Sequence, residues 1–84
     1  MDPEQIRARL SARLREAQEL RGVTTQELAK QAGVGRPHLH DVLAGKAGPS
    51  VDYVARLADV LDVDPATLLS DKPITRRTRR ARRG

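Results

Sequence analysis

The sequence predicts an all-α fold of five short helices, because apolar residues recur at helical spacing and no stretch shows the alternation of a β-strand. Thr24 and Glu27 form a capping-box pattern, which satisfies free backbone N–H groups and begins a helix. Gly33 follows at the position where a left-handed residue ends that helix. The apolar spacing resumes at Val34, so a second short helix is expected after a tight turn.

Residues that favour helix caps mark where the other helices begin. Asp2 is the expected N-cap of the first helix, Ser50 can cap the fourth, and Asp64 followed by Pro65 begins the fifth. The helices are expected at about 3–21, at 25–32, at 36–44, after Ser50, and at 65–69. The side chains predicted to face the core are Ile6, Leu10, Leu14, Ala17 and Leu20 in the first helix, and Val51, Val54, Leu57, Ala58 and Leu61 in the fourth.

The second and third helices have the pattern of a helix-turn-helix motif, which spans residues 24–45. Ala29 is small, as it must be if another helix crosses closely above it. Leu39 and Val42 give the third helix its buried side, and His38 and Leu43 flank that side. In such a motif the first helix lies against the DNA backbone and the second, the recognition helix at 36–44, enters the major groove.

Length and composition predict one small domain at 1–71 and a flexible arginine-rich tail at 72–84. The core is aliphatic, since the chain has one Tyr and no Phe or Trp, so a dimer interface would add stability. Six of the sixteen Lys and Arg residues lie in 76–83, whereas 1–75 hold ten basic and eleven acidic residues. The body is therefore close to neutral, and the tail is the part expected to be attracted to any polyanion.

The composition argues against several other classes of protein. Cysteine is absent, which excludes disulfides and thiolate metal sites, and no apolar run reaches membrane-spanning length. His38 and His40 stand two residues apart on a helix, so they do not converge on one metal ion. No catalytic nucleophile–base set or phosphate-binding glycine loop is recognisable. We therefore expect a cytoplasmic protein without enzymatic activity, cofactor, metal or membrane contact.

From about Leu14 to Leu69 the chain resembles the Cro and phage-repressor-like (XRE) family of helix-turn-helix proteins. Segments that carry the resemblance are Arg21-Gly22-Val23-Thr24, Gln31-Ala32-Gly33-Val34, Gly45-Lys46-Ala47-Gly48-Pro49-Ser50, and the closing helices from Val54 to Leu69. The resemblance implies a lambda-repressor-like fold in a bacterial or phage transcriptional regulator. Such a protein would bind a palindromic operator in double-stranded DNA as a homodimer and repress by occluding promoter elements. For the dimer contact, Leu69 and Ile74 are the candidates.

The chain departs from the family pattern at five positions. The first residue of the second helix, usually a Gln that touches backbone and base edges, is Thr25 here. The usual Ser or Thr before the recognition helix is Gly35, and the Gly that often ends the fourth helix is Asp62. A family ion pair between an Arg and a Glu is replaced by Gln18 and Leu43. Loss of both partners is compatible with apolar replacement, whereas loss of one would leave an unpaired charge.

The family's base-reading positions fall on Arg36, Pro37 and Asp41, and helical geometry adds His40 to the same exposed side. Arg36 can donate two hydrogen bonds to guanine or pair with a phosphate, and ionised Asp41 can accept from cytosine or remain solvated. Pro37 can touch a thymine methyl group, and His40 can donate or accept. Phosphate contacts are expected from the Lys46 side chain, from backbone N–H groups of 45–48 and from the start of the second helix.

The complete set of DNA-contacting candidates is Thr25, Gln26, Arg36, Pro37, His38, His40, Asp41, Lys46, Arg76, Arg77, Arg79 and Arg80. The tail arginines can follow phosphates or enter the minor groove, or they can form a solvated tail. Two other functions remain open. The chain could be the DNA-binding antitoxin of a toxin–antitoxin pair, with its C-terminal segment bound to a protein partner. It could also be a non-specific architectural DNA binder that depends on the tail.

Overall fold

The computed structural model describes residues 2–69, and within that range the chain is entirely helical apart from turns and connecting loops. The helices are α1 (Pro3–Arg21), α2 (Thr25–Ala32), α3 (Arg36–Leu43), α4 (Val51–Leu61) and α5 (Pro65–Leu68). The all-α fold of five helices is thus confirmed. The predicted arginine-rich tail at 72–84 and the candidate Ile74 lie outside the described residues.

The helices begin at the caps that the sequence predicts. Asp2 accepts a hydrogen bond from the backbone N–H of Gln5 at 2.9 Å, and the Gln5 side chain accepts one from Asp2 N–H at 3.2 Å. Thr24 Oγ1 accepts from Glu27 N–H at 3.1 Å. The N-caps Ser50 and Asp64 accept from Tyr53 N–H and Ala66 N–H. Gly35 is the N-cap of α3 and supplies no side-chain bond, so packing must hold the start of that helix.

Left-handed residues end α1, α2 and α4. Gly22 and Gly33 have φ of 67° and 71°, conformations that cost glycine little. Asp62 ends α4 with φ 58°, which the short aspartate side chain tolerates better than most. Its carboxylate lies 3.8 Å from the Arg21 guanidinium, so the departure from the family glycine is accommodated next to a cation.

The core joins all five helices, and the seam between α2 and α3 lies inside it. Leu28 and Leu39 are fully buried, and Ala29 and Val42 are 5% and 1% exposed. The inward direction of Leu39 and Val42 is therefore confirmed. The buried apolar residues are Leu10, Leu14, Ala17, Leu28, Ala29, Leu39, Val42, Leu43, Val54, Leu57, Ala58, Leu61, Val63 and Leu68.

Four apolar side chains lie differently from the prediction. Ile6, Leu20 and Val51, which the sequence places on buried stripes, are 45%, 61% and 84% exposed. They occupy the end turns of α1 and α4, and periodicity gives the direction of a side chain but not the extent of its neighbours. Leu43 is 7% exposed, because α1 packs across α3 and covers the flank of the predicted stripe. α3 also ends at Leu43, one residue earlier than predicted.

No helix within residues 2–69 combines the length and the apolar character that crossing a membrane requires.

Candidate nucleic-acid interface

The outer side of α3 is a polar ridge that stands above the buried seam. Arg36, Pro37, His40 and Asp41 are exposed, whereas Leu39 is fully buried beneath them. The ridge therefore brings together the side chains that the sequence assigns to base contact. Its chemistry combines a guanidinium donor, a carboxylate acceptor and an imidazole that can do either.

His38 lies beside this ridge and contacts α4. Its ring and that of Tyr53 are 5.0 Å apart at 82°, an edge-to-face arrangement that aromatic rings favour. His38 remains exposed, so the contact orients the imidazole without removing it from solvent. Sequence reasoning places His38 at the edge of the buried stripe but gives no indication of its partner.

The loop after α3 is tied back onto the helix that precedes it. Lys46 N–H donates to Asp41 O at 2.8 Å, Ala47 N–H to the same oxygen at 3.3 Å, and Gly45 N–H to Val42 O at 3.1 Å. These three N–H groups are already used, which corrects the expectation of phosphate contact for Gly45, Lys46 and Ala47 among the amides of 45–48. The exposed side chain of Lys46 is a cationic group that this loop offers to an anion.

The start of α2 contributes a second potential anion site. Gln26 is exposed and Thr25 is half-buried in the first turn, where helix N–H groups lack partners within the helix. Gln18 of α1 donates from Nε2 to Thr25 Oγ1 and to Val23 O, both at 3.3 Å. Gln18 thus holds the beginning of α2, a role that the comparison with the family ion pair does not reveal.

A matching contact holds the end of α3. Arg15 of α1 donates from Nη1 to the main-chain oxygen of Leu43. The sequence contains no local signal for this bond, because the two residues are 28 positions apart. The two polar side chains of α1 thus reach both helices of the motif.

Within residues 2–69 the buried hydroxyl of Tyr53 has no hydrogen-bond partner, and burial raises the pKa of its phenol. Tyr53→Phe should therefore leave the free energy of unfolding unchanged or raise it by up to about 1 kcal/mol, since an unsatisfied polar atom is removed. Above about pH 10 the unfolded chain loses its phenolic proton first, so wild-type stability should fall with rising pH. Denaturant unfolding of both proteins at several pH values measures this.

The variant provides the control, because Tyr53 is the single tyrosine of the chain. Its phenolate absorbance reports one group, and the extra loss of stability above about pH 10 should be absent in Tyr53→Phe. Equal alkaline losses in the two proteins, or a phenol that titrates below its ordinary pKa, would contradict the prediction.

Within residues 2–69, no three His, Asp or Glu side chains come together as potential metal ligands.

Comparison with known families identifies similar sequences. The profile of a family described as "Helix-turn-helix domain" matches residues 9–69. The transcriptional regulator SinR of Bacillus licheniformis is 30% identical over 67 residues, which are 79% of this chain and 60% of that protein. SinR of Bacillus subtilis is 30% identical over 64 residues, or 75% and 58% of the two chains. The chain thus spans about three fifths of the length of these curated relatives.

Solved structures with a similar fold include regulators, one of them in complex with DNA. The restriction-modification controller protein C.AhdI from Aeromonas hydrophila gives a TM-score of 0.71 at 29% identity, covering 74% of this chain and 94% of its own. The structure of SinR in complex with DNA gives a TM-score of 0.70 at 29% identity, covering 73% of this chain and 98% of its own. The regulator ClgR from Corynebacterium glutamicum gives 0.73 at 30% identity, with 76% and 68% covered.

Proposed function

Because the chain belongs to the XRE family of helix-turn-helix DNA-binding proteins, we propose that it is a sequence-specific transcriptional regulator that places α3 in the major groove. The observation that carries the proposal is the exposed polar ridge of α3 above the buried Leu39 and Val42. A ridge that protrudes from a packed body is the shape that a major groove admits.

Base recognition in this proposal comes from the ridge side chains. Arg36, at the first position of α3, donates two hydrogen bonds to guanine O6 and N7, and Asp41 accepts from cytosine N4. His40 lies between them on the exposed face and adds one further contact. Pro37 has no donor and touches a thymine methyl group. His38 contacts DNA at the edge of the ridge, where its ring packs against Tyr53. The operator is accordingly expected to contain G·C pairs.

Phosphate contacts lie on either side of the ridge. Lys46 follows α3, and Thr25 and Gln26 begin α2, where the helix dipole and free N–H groups favour an anion. These contacts fix the protein on the duplex without selecting a sequence. The arginines of the C-terminal segment would strengthen the same sequence-independent attraction; they are Arg76, Arg77, Arg79 and Arg80.

We further propose a homodimer on a palindromic operator, with recognition helices about 34–36 Å apart in successive major grooves. An apolar groove of about 360 Å³ supports this proposal, since it collects the exposed side chains Ile6, Val51 and Leu69. Gly48 and Pro49 also line it, and they lie two and three residues after Lys46, the proposed phosphate contact. A second copy seated here would therefore lie beside the DNA. Leu69, one of the two predicted dimer contacts, lines this groove and so supports the proposal.

Val51→Glu should raise the dimer dissociation constant by about tenfold or more, because it places a charge in the apolar contact. The substitution suits the first residue of α4, where the helix dipole favours an acid, so folding is preserved. Gln31→Glu is the charge-matched control, because Gln31 is an exposed residue of α2. Sedimentation equilibrium of the full chain without DNA provides the measurement. Equal self-association of the two variants would argue against this groove.

Selection from a pool of randomised duplexes tests the proposed function as a whole. We expect one enriched sequence with inverted half-sites, which reports specificity and dimerisation together. Recovery of no preferred sequence, with equal affinity for selected and bulk DNA at physiological salt, would favour the architectural alternative. In that case truncation after Ile74 should remove most of the salt dependence, since six arginines contribute a slope of about five.

The antitoxin hypothesis makes a different prediction. A stable stoichiometric complex with the product of the neighbouring gene would support it. The proposed regulator would act at the nucleoid in the cytoplasm, and a promoter that it occludes would be repressed.

A further inference from the structure

One short face of α1 reaches both helices of the motif. Arg15 donates to the main-chain oxygen of Leu43, the last residue of α3, and Gln18 donates to Thr25 Oγ1 at the first residue of α2. Arg15 and Gln18 are three residues apart and therefore neighbours on one helix face. We infer that they are positioning residues, which hold the start of α2 and the end of α3 in the relative placement that DNA binding needs. The inference rests on the proposed function.

Arg15 completes the hydrogen bonding at the end of α3. The last four carbonyl groups of a helix lack donors within the helix. Those at positions 40–42 accept from backbone N–H groups of 44–47, whereas Leu43 O accepts from Arg15. A cation at this end also suits the helix dipole. Without Arg15, the last turn of α3 and the loop carrying Lys46 would lose a fixed point on α1.

Gln18 acts on the hydroxyl group of Thr25. A threonine hydroxyl has one hydrogen to donate and two lone pairs that accept. Gln18 Nε2 occupies a lone pair at 3.3 Å, so the hydroxyl hydrogen remains available. A phosphate oxygen of DNA can only accept a hydrogen bond, so the Thr25 hydroxyl contacts it by donating that hydrogen. Arg15, Gln18 and Thr25 line the same open groove of about 750 Å³, where α1 meets the start of α2.

Positioning predicts a particular pattern of DNA affinities. A base contact requires α3 to sit correctly in the groove, whereas non-specific binding tolerates a displaced helix because it depends on charge. Loss of the Arg15 bond should therefore reduce the preference for the operator. Loss of a simple surface charge should reduce both affinities alike.

Arg15→Met tests this, since it removes the guanidinium and keeps an unbranched stem. The probes are the duplex that the wild-type full chain selects from a randomised pool and a scrambled duplex of the same length. We expect Arg15→Met to bind the selected duplex about tenfold more weakly than wild type. Its affinity for the scrambled duplex should fall only by the small amount that the loss of one positive charge causes. Arg56→Met, on the exposed side of α4, is the control with the same charge change. Arg15→Lys should recover part of the preference.

Two results would overturn the role of Arg15. Equal losses on both duplexes, with a salt slope lower by about one, would identify Arg15 as a direct phosphate contact. The affinity for the selected duplex could also become equal in wild type and Arg15→Met at temperatures where thermal unfolding shows both to be fully folded. Arg15 would then contribute to folding stability and not to the placement of α3.

Hydrogen exchange in the free protein is a second test that needs no DNA. The amides of Gly45, Lys46 and Ala47 donate to carbonyls of α3 and should exchange faster in Arg15→Met but not in Arg56→Met. Unchanged exchange overturns the proposed role of Arg15. If the wild-type protein prefers no duplex, the proposed function fails, and exchange still decides whether Arg15 fixes the end of α3.

For Gln18 the test is a double-mutant cycle with Thr25. Gln18→Leu should weaken binding to the selected duplex about threefold to tenfold, and should cost almost nothing further in a Thr25→Val background. Additive losses would show that Gln18 does not act through the Thr25 hydroxyl.

Discussion

Replacing Leu39 with alanine should lower the free energy of unfolding by about 2–5 kcal/mol. Leu39 is fully buried, so the change removes transfer energy and leaves a cavity at the seam between α2 and α3. The free energy of unfolding of a small domain is only about 5–15 kcal/mol in total. The variant should therefore be partly unfolded at moderate temperature. Urea unfolding followed by far-ultraviolet circular dichroism measures the difference.

Leu20→Ala is the matched control, because it deletes the same atoms from a side chain that is 61% exposed in the last turn of α1. We expect a change within about 0.5 kcal/mol there. Similar losses of unfolding free energy in the two variants would mean that Leu39 does not pack in the core between α2 and α3.

Arg36→Ala should relax the sequence preference at one position in each half-site, with a loss of about 1–3 kcal/mol of discrimination per contact. Lys46→Ala should weaken all duplexes alike and lower the salt slope by about one. The two variants remove the same charge from neighbouring parts of the exposed surface, so each is the control for the other. Repeating the duplex selection and the salt titration with both proteins separates base contact from phosphate contact.

A uniform loss of affinity in Arg36→Ala, with the selected sequence unchanged, would assign Arg36 to phosphate. A change of selected sequence in Lys46→Ala would assign base recognition to the loop. Either result would contradict the division of roles between ridge and loop.

Most of the fold could be predicted from the sequence because its signals are local. Asp2, Thr24, Ser50 and Asp64 each cap a helix through a backbone N–H two or three residues away. Gly33 adopts the left-handed conformation that the turn requires. The burial of Leu39 follows from helical periodicity, which also fixes the direction of the ridge.

The errors arise where the answer depends on distant parts of the chain. Val51 has the spacing of a buried residue, yet it is 84% exposed, because the helices within residues 2–69 cover Val54 in the same turn and leave the side of Val51 open. The bond from Arg15 to Leu43 O joins residues that share no motif. Gln18 is recognisable as a departure from the family pattern, but only the fold shows that it reaches Thr25. Tertiary contacts of this kind leave no periodic trace in one sequence.

Methylation interference on the selected duplex tests most directly whether α3 enters the major groove. Dimethyl sulfate modifies guanine N7, which faces the major groove, and adenine N3, which faces the minor groove. We predict that methylation of guanine N7 within each half-site blocks binding, and that Arg36→Ala removes the interference at one guanine. Interference at adenine N3 alone, with methylated guanines bound as well as unmodified ones, would contradict insertion of α3 into the major groove.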